Sequence, residues 1–138
     1  MRAFIDTSVL LRVLFGESGR LEEWSEIEEA YASRLVAVEV ARVIDRYRLM
    51  GQIDDEDVAR LHEEARRALR SMDVLAITEP ILKRAEQAAP TIVGTLDAIH
   101  LATALELEQH LREPLVLATH DVQLARASRA SGLSTVGA

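Results

Sequence analysis

Four acidic residues, Asp6, Glu39, Asp97 and Asp121, occupy positions where a carboxylate is unusual. Each lies at the end of an apolar run or inside a helical segment that is otherwise apolar. A carboxylate next to a hydrophobic core is costly unless its charge is compensated. Four such positions in one chain suggest a shared partner, and oxygen donors of this kind favour Mg²⁺ or Mn²⁺ over zinc. The chemistry that they predict is metal-assisted phosphodiester hydrolysis.

A simpler explanation competes for the three aspartates. An aspartate near a helix N-terminus gains about 0.3–1 kcal/mol from the helix dipole. Asp6, Asp97 and Asp121 are each expected close to the start of a helix, so each could be there for that reason alone.

Glu39 and Asp97 weaken the helix-start explanation. Glu39 shares a helical stripe with Leu35 and Val43, which should face the core. Asp97 belongs to a segment that is apolar on nearly all sides, and such a helix is buried. An ion pair between Glu39 and Arg42, three residues later, is the alternative for the glutamate.

Zinc is a poor candidate for this chain. There is no cysteine, and no two histidines have the spacing of a zinc motif. His100 lies one helical turn after Asp97 and could be a fifth ligand. A lone histidine on an apolar helix face is, however, more often a hydrogen-bonded core residue.

The elements that must position the acids alternate along the chain, and they predict an α/β protein with a mainly parallel sheet covered on both faces. We expect an acidic amphipathic helix at residues 20–31, and Thr95 as the cap of the helix that carries Asp97. The predicted strands are 3–5, 74–77, 115–118 and 133–136. The other predicted helices follow Thr7 or Ser8, span 35–50, run from Asp54 or Asp55 to about Met72, and span 80–88, 96–111 and 121–130.

The acids also fall where such sheets place their ligands, beyond the carboxyl ends of the strands. Asp6 ends the first strand, and Asp121 lies two residues after Thr119, where a later strand ends. Mutual repulsion of the carboxylates in the absence of metal predicts that Asp6→Asn abolishes activity and raises the melting temperature of the metal-free protein.

Composition limits the remaining possibilities. The 138 residues fit a single domain, 1–138, and the chain is 49% hydrophobic and 28% charged. No signal peptide or membrane span is apparent, so we expect a cytoplasmic protein. The net charge of −7 argues against nucleic acid, but of the 23 acidic residues only 19 remain, against 16 basic ones, once the four acids are assigned to a metal.

Four segments carry a resemblance to a known family. They are FIDTSVLL (4–11), SRLVAVEVARV (33–43), TLDAIHLATAL (95–105) and LATHDVQLARASRASG (117–132). In this order, and over the whole chain, they resemble the PIN-domain family, in particular the VapC toxins of toxin–antitoxin pairs. The resemblance implies a three-layer α/β/α sandwich with a short, mainly parallel central sheet.

The resemblance also implies an activity and its partners. It indicates a Mg²⁺- or Mn²⁺-dependent endoribonuclease, the toxin of a type II system, in which one or two ions activate a water that cleaves RNA. A VapB-like antitoxin would lie across the groove, and the chain would form a homodimer. By resemblance, Asp6, Glu39, Asp97 and Asp121 are catalytic and bind the metal. The supporting residues are Thr7, Ser8 and Thr119.

Substrate contacts are less defined by the sequence. Arg12, Arg42 and Arg46 flank the acid-bearing segments and are candidates for RNA-phosphate contacts, although ordinary solvated helix charges explain them equally well. Many relatives carry an arginine shortly before the position of Thr95, whereas this chain has the apolar run 92–94. Leu21 and Trp24 could serve an antitoxin or dimer surface, or the core.

Three alternatives remain. A receiver-like phospho-acceptor domain is also a small acidic α/β chain, but it needs an adjacent acid pair after the first strand and a lysine after a later one. Here Asp6 is followed by Thr7 and Ser8, and the only lysine is Lys83. A catalytically inert PIN-fold binding module, and a nuclease acting on DNA, are the others.

Overall fold

The computed structural model describes residues 1–138, and a five-stranded sheet forms its centre. Every neighbouring pair of strands is parallel, and the strand order is β3-β2-β1-β4-β5. The strands are β1 (Arg2–Ile5), β2 (Glu29–Ser33), β3 (Asp73–Leu75), β4 (Val116–Ala118) and β5 (Ser134–Val136).

Six α-helices and one short 3₁₀ helix, Glu22–Glu26, connect the strands. None of the helices is long and apolar enough to cross a membrane. The α-helices are α1 (Thr7–Leu14), α2 (Leu35–Leu49), α3 (Asp55–Arg70), α4 (Glu79–Ala85), α5 (Thr95–Leu111) and α6 (Val122–Ala130).

Short polar side chains and glycine define several helix ends. Asp6 and Asp121 cap α1 and α6 by accepting hydrogen bonds from backbone amides of the first turn. Asp54 forms a reciprocal capping box with Asp57 at the start of α3. After α2 the chain turns through Gly51, whose φ of 70° is a conformation that glycine adopts without strain.

The side chains of β1 alternate between two cores, one on each face of the sheet. Ala3 and Ile5 face the layer of α1, α2 and α3, whereas Phe4 faces the layer of α5 and α6. The first core includes Val9, Leu10, Val36, Val40, Ile44 and Leu61. The second includes Leu101, Ala104, Leu107, Leu124 and Ala127. The predicted three-layer α/β/α sandwich is therefore confirmed, with a sheet that is parallel throughout.

One element of the sequence-based prediction is wrong. The segment 20–31 is not an amphipathic helix: it forms the 3₁₀ helix and then enters β2. Leu21 is buried in the core, and Trp24 packs partly buried against it, so both residues serve the core. Residues 29–33 gain backbone partners from β1 and β3 on either side, and this pairing overrides the local helical spacing.

The strand order also separates this chain from the receiver-like alternative. Flavodoxin-like sheets, the class that includes receiver domains, place the first three strands in the order 2-1-3. Here β1 lies between β2 and β4. The chain builds β2 and β3 on one side of β1 and later returns to the other side, so the order reverses between β1 and β4. Ligands of open α/β sheets bind at such a switch point.

Candidate active site

The switch point brings the ends of β1 and β4 side by side. The two strands pair Ile5 with Ala118, so the next residues, Asp6 and Thr119, are also neighbours. Thr119 Oγ1 donates a hydrogen bond to Asp6 Oδ2 over 2.8 Å, and Ser8 Oγ donates to the same oxygen over 2.6 Å. Asp6 is almost completely buried. Both hydroxyls therefore compensate the charge that its burial would otherwise leave unpaired.

Glu39 reaches this edge of the sheet from the second turn of α2. Its Oε1 accepts a hydrogen bond from Thr7 Oγ1 over 2.9 Å and lies 2.5 Å from His100 Nε2. The ion pair considered with Arg42 is absent, because Arg42 Nη1 lies 3.2 Å from Asp45 Oδ2 instead. The partner of Glu39 is thus a residue from a different helix.

Asp97 lies in the first turn of α5, which runs with His100 against the sheet. The cap of this helix is Gly94 rather than Thr95, and no side chain caps it. Burial and, after it, the charges of Asp6 and Asp121 raise the pKa of Asp97 to about 6. No hydrogen bond offsets this shift, so Asp97 is the acid whose charge is least compensated.

Asp121 lies just beyond β4, at the start of α6. Its Oδ1 accepts a hydrogen bond from the amide of Leu124 over 2.8 Å, and its own amide donates to Thr119 Oγ1 over 3.0 Å. Helix capping therefore accounts for part of the role of Asp121, as it does for Asp6, and in neither case does it use both carboxylate oxygens.

A shared pattern follows from these hydrogen bonds. Asp6, Glu39 and Asp121 each have one carboxylate oxygen held by protein donors, while the other accepts no hydrogen bond. Asp97 accepts none on either oxygen. Mg²⁺ takes single oxygens from carboxylates in an octahedral shell that it completes with water. The donor set therefore fits a hard divalent cation.

The charges of the four acids act on one another. The charges of Asp6, Asp121 and Glu39 each raise the pKa of Asp97, in that order of size. Burial raises the pKa of Glu39, but the hydrogen bond and charge of His100 together with the hydrogen bond of Thr7 outweigh it, and the pKa lies below its usual value. A cation would relieve the repulsion among these carboxylates.

In this conformation the acids are near one another without enclosing an ion. No three Asp, Glu or His side chains are close enough together to hold a metal. The oxygens that accept no hydrogen bond belong to side chains at least partly open to solvent, with the exception of the buried Asp6. Binding a common ion would therefore require the acids to draw together.

The three supporting hydroxyls predicted from the sequence lie at the site. Thr7 contacts Glu39, and Thr119 contacts Asp6. Ser8 Oγ contacts Asp6 and also accepts a hydrogen bond from the amide of His120 over 3.0 Å. Together they connect α1, α2 and the loop after β4.

Two residues contribute to the site in ways that the sequence did not predict, His100 and Gly137. His100 is completely buried and hydrogen-bonded, as the core interpretation expected, yet its partner is a site acid. Gly137, with φ 100°, approaches so closely that a Cβ there would lie 2.5 Å from the carbonyl oxygen of Thr119. The i+3 spacing of His100 from Asp97 was a signal for the former, whereas nothing local marks Gly137.

The candidate RNA-contacting arginines do not pair with the site acids. Arg12 Nη1 donates to the carbonyl oxygen of Gly19 over 2.8 Å, and Arg42 pairs with Asp45. Arg46 is exposed and forms no ion pair. Their part in RNA binding stays a prediction. Neither Arg12 nor Arg46 forms an ion pair, and of these two Arg46 is the more exposed.

Comparison with known proteins gives consistent results at the sequence level. A family model described as PIN domain matches residues 3–130. Ribonuclease VapC47 of Mycobacterium tuberculosis (strain CDC 1551 / Oshkosh) is 34% identical, over 96% of this chain and 93% of that protein. Ribonuclease VapC46 of Mycobacterium tuberculosis (strain ATCC 25618 / H37Rv) is 29% identical, over 96% and 95% of the two chains.

Solved structures share the fold. FitAcB from Neisseria gonorrhoeae has a TM-score of 0.70 at 20% identity, covering 97% of this chain and 96% of its own. A toxin–antitoxin complex from Klebsiella pneumoniae has a TM-score of 0.62 at 20% identity, covering 97% and 95%. The family model matches most of the chain, and the sheet order and the position of the four acids agree with that match. The chain therefore belongs to the PIN domain family.

Proposed function

We propose that this chain is a metal-dependent endoribonuclease and the toxin of a type II, VapBC-like toxin–antitoxin system. The observation that carries the proposal is the gathering of Asp6, Glu39, Asp97 and Asp121, from four separate segments, at the β1–β4 switch point. The pKa of about 6 at Asp97 reflects this gathering, because three of its causes are the other acids. The names of the two curated relatives support RNA as the substrate.

All four acids would be metal ligands in this function. Asp6, Glu39 and Asp121 would each offer one oxygen to Mg²⁺ or Mn²⁺, since their other oxygen is held by the protein. Asp97 would offer either of its carboxylate oxygens, because neither accepts a hydrogen bond from the protein. One or two bound ions would supply the positive charge that stabilises the phosphorane-like transition state and makes water a better nucleophile. Thr7, Ser8 and Thr119 orient the carboxylates.

The reaction is hydrolysis of an RNA phosphodiester. Water adds to phosphorus in line with the leaving 3′-oxygen, the phosphorus–O3′ bond breaks, and the 3′-oxygen takes up a proton. The products are a 5′-phosphate and a 3′-hydroxyl end. A nuclease that used the ribose 2′-hydroxyl as nucleophile would instead leave a 2′,3′-cyclic phosphate, so the product ends report which chemistry occurs.

The antitoxin is the second part of the proposal. Several structural neighbours come from toxin–antitoxin complexes, and some of those are bound to DNA. At identities of 20% or less these neighbours support the fold rather than the partner. The VapC names of the relatives with the higher identities support a cognate VapB-like protein that holds the toxin inactive.

The test combines cleavage with metal dependence. We expect the purified chain to cleave single-stranded RNA with Mg²⁺ or Mn²⁺, to stop with EDTA, and to leave 5′-phosphate ends by mass spectrometry. Asp6→Asn and Asp97→Asn should abolish cleavage. Asp55→Asn, an equal change of charge at an exposed position in the first turn of α3, is the matched control and should cleave normally.

Induction in a bacterial host separates the enzyme from its biological role. The wild-type chain should arrest growth, whereas Asp6→Asn should not. Cleavage in vitro without growth arrest would support the nuclease activity and contradict the role as a toxin. Cleavage that persists in EDTA, or an Asp97→Asn chain as active as the wild type, would overturn the metal-dependent mechanism.

A further inference from the structure

His100 occupies a position between three of the four site acids. It lies on α5 one turn after Asp97, and its Nε2 is 2.5 Å from Glu39 Oε1 and 3.8 Å from Asp6 Oδ1. The imidazole is completely buried and stands edge-on to the ring of Phe4, at a centroid distance of 6.4 Å and an interplanar angle of 70°. The histidine therefore contacts the site from the core side.

The hydrogen-bonding roles at this contact follow from the chemistry of its atoms. Oε1 of Glu39 also accepts the hydroxyl of Thr7 over 2.9 Å, and a carboxylate can only accept. The Nε2 of His100 is therefore the donor. Its Nδ1 is buried and has no hydrogen-bond partner. Nε2 is thus the one polar atom through which His100 acts on the site.

The side chain of Glu39 needs such a restraint. It has three rotatable bonds, projects from α2, and keeps 24% of its surface exposed. A side chain of this kind samples several rotamers unless hydrogen bonds select one. The two donors on Oε1, from α1 and α5, hold that oxygen toward the protein and leave Oε2 without a hydrogen bond.

We propose that His100 is a positioning residue, which holds Glu39 by its Oε1 so that Oε2 alone is presented to the metal. The inference rests on the proposed metal-dependent nuclease. A packing role alone would not require a histidine, because an apolar side chain fills a buried position without leaving a ring nitrogen unpartnered, as Nδ1 is here. Nε2 lies 2.5 Å from Glu39 but 3.8 Å from Asp6, so the hydrogen bond to Glu39 is the one that distinguishes histidine from leucine at this position.

The experiment compares three substitutions of one side chain. His100→Leu removes both nitrogens at similar size, His100→Gln places an amide nitrogen near the position of Nε2, and His100→Asn places one near Nδ1. For each we would measure Mn²⁺ binding by calorimetry and RNA cleavage over a range of Mg²⁺ concentrations. Loss of a partner that orients a metal ligand weakens metal binding about 10- to 100-fold.

We expect that increase in the half-saturating Mg²⁺ concentration for His100→Leu and His100→Asn, with cleavage at saturating Mg²⁺ changed much less. His100→Gln should restore most of the affinity. In a Glu39→Gln background, His100→Leu should add no further loss. Thr103→Val is the control for a buried polar residue on the same helix, because Thr103 Oγ1 bonds only to the carbonyl oxygen of Ile99, and its metal affinity should equal that of the wild type.

The outcomes separate this inference from the function it rests on. A wild-type chain that neither binds Mn²⁺ nor cleaves RNA overturns both. A wild-type chain that does both, while His100→Leu keeps the same half-saturating Mg²⁺, overturns the role of His100 only. If His100→Leu does not fold, the comparison of His100→Gln with His100→Asn decides, and equal metal affinities of those two variants contradict the proposal.

Discussion

Asp6 and Thr119 end neighbouring parallel strands side by side, and Thr119 Oγ1 donates to Asp6 Oδ2 over 2.8 Å. The same hydroxyl accepts the amide of Asp121 over 3.0 Å. One buried side chain thus orients two site acids, one on each side of the topological switch point.

We expect Thr119→Val to weaken both the fold and the site. The change keeps the shape of the side chain but leaves a buried carboxylate with one donor fewer and the amide of Asp121 without an acceptor, which costs about 1–3 kcal/mol of unfolding free energy. Urea denaturation would measure the loss, and Mn²⁺ titration the weakened site. Thr119→Ser keeps the hydroxyl and should retain most of the metal affinity; an equal loss in both variants would argue against the hydrogen bonds.

Asp97→Asn should stabilise the metal-free protein near neutral pH. Because the pKa of Asp97 is raised to about 6, its ionisation costs stability as pH rises from about 4, the value of a free side chain, through 6. After allowance for screening at a partly exposed group, the gain above pH 6 is about 1–2 kcal/mol, or roughly 3–8 °C in Tm.

Thermal melts in EDTA at several pH values would check this expectation. The difference between Asp97→Asn and the wild type should disappear below about pH 4, where the free and folded side chains are both protonated. Asp6→Asn should show a smaller gain, because it removes the repulsion between Asp6 and Asp97 but also weakens the hydrogen bonds that Asp6 Oδ2 accepts from Ser8 and Thr119. The repulsion expected from the sequence at Asp6 is shared with Asp97, because the charge of Asp6 is, after burial, the largest cause of the raised pKa of Asp97.

Gly137→Ala should disturb the site through the close contact of Gly137 with the backbone of Thr119. The φ of 100° strains any L-residue, and the added Cβ would meet the carbonyl oxygen of Thr119 at 2.5 Å. Since His120 Nδ1 also lies 3.0 Å from the Gly137 carbonyl oxygen, the loop that leads to Asp121 must shift. We expect a loss above about 2 kcal/mol in urea denaturation and a lower rate of RNA cleavage.

Gly51→Ala is the matched control for this substitution. Gly51 also has a positive φ, of 70°, but a Cβ there would have no atom within 4 Å. It should show the backbone strain, about 1–2 kcal/mol, without the change in cleavage. Equal effects of the two substitutions on cleavage would mean that the contact with Thr119 is unimportant.

Arg46→Ala should weaken RNA binding more than Arg42→Ala does. Arg46 is exposed without an ion pair, whereas the charge of Arg42 is shared with Asp45. Loss of one phosphate contact should reduce the slope of log affinity against log salt by about one. Binding would be measured with the inactive Asp6→Asn chain over a range of salt concentrations. An unchanged slope for Arg46→Ala would show that Arg46 does not contact an RNA phosphate.

The local patterns of the sequence were sufficient for most of the fold. Polar caps such as Asp54, the turn at Gly51 and the apolar strands close to their predicted bounds follow from interactions within a few residues. The strand β2 was missed for the opposite reason. Its backbone is satisfied by β1 and β3, which are distant in sequence, and its own residues carry a spacing that also fits a helix.

The candidate site likewise has features that the sequence predicts and features that depend on tertiary packing. The sequence by itself singled out Asp6, Glu39, Asp97 and Asp121 as candidates, because a carboxylate at an apolar position is visible without coordinates. Only the tertiary structure decided that His100, rather than Arg42, is the partner of Glu39, and that Asp97 carries the least compensated charge. Hydrogen bonds between α1, α2 and α5 and the summed field of four charges depend on packing between segments, which no local spacing encodes.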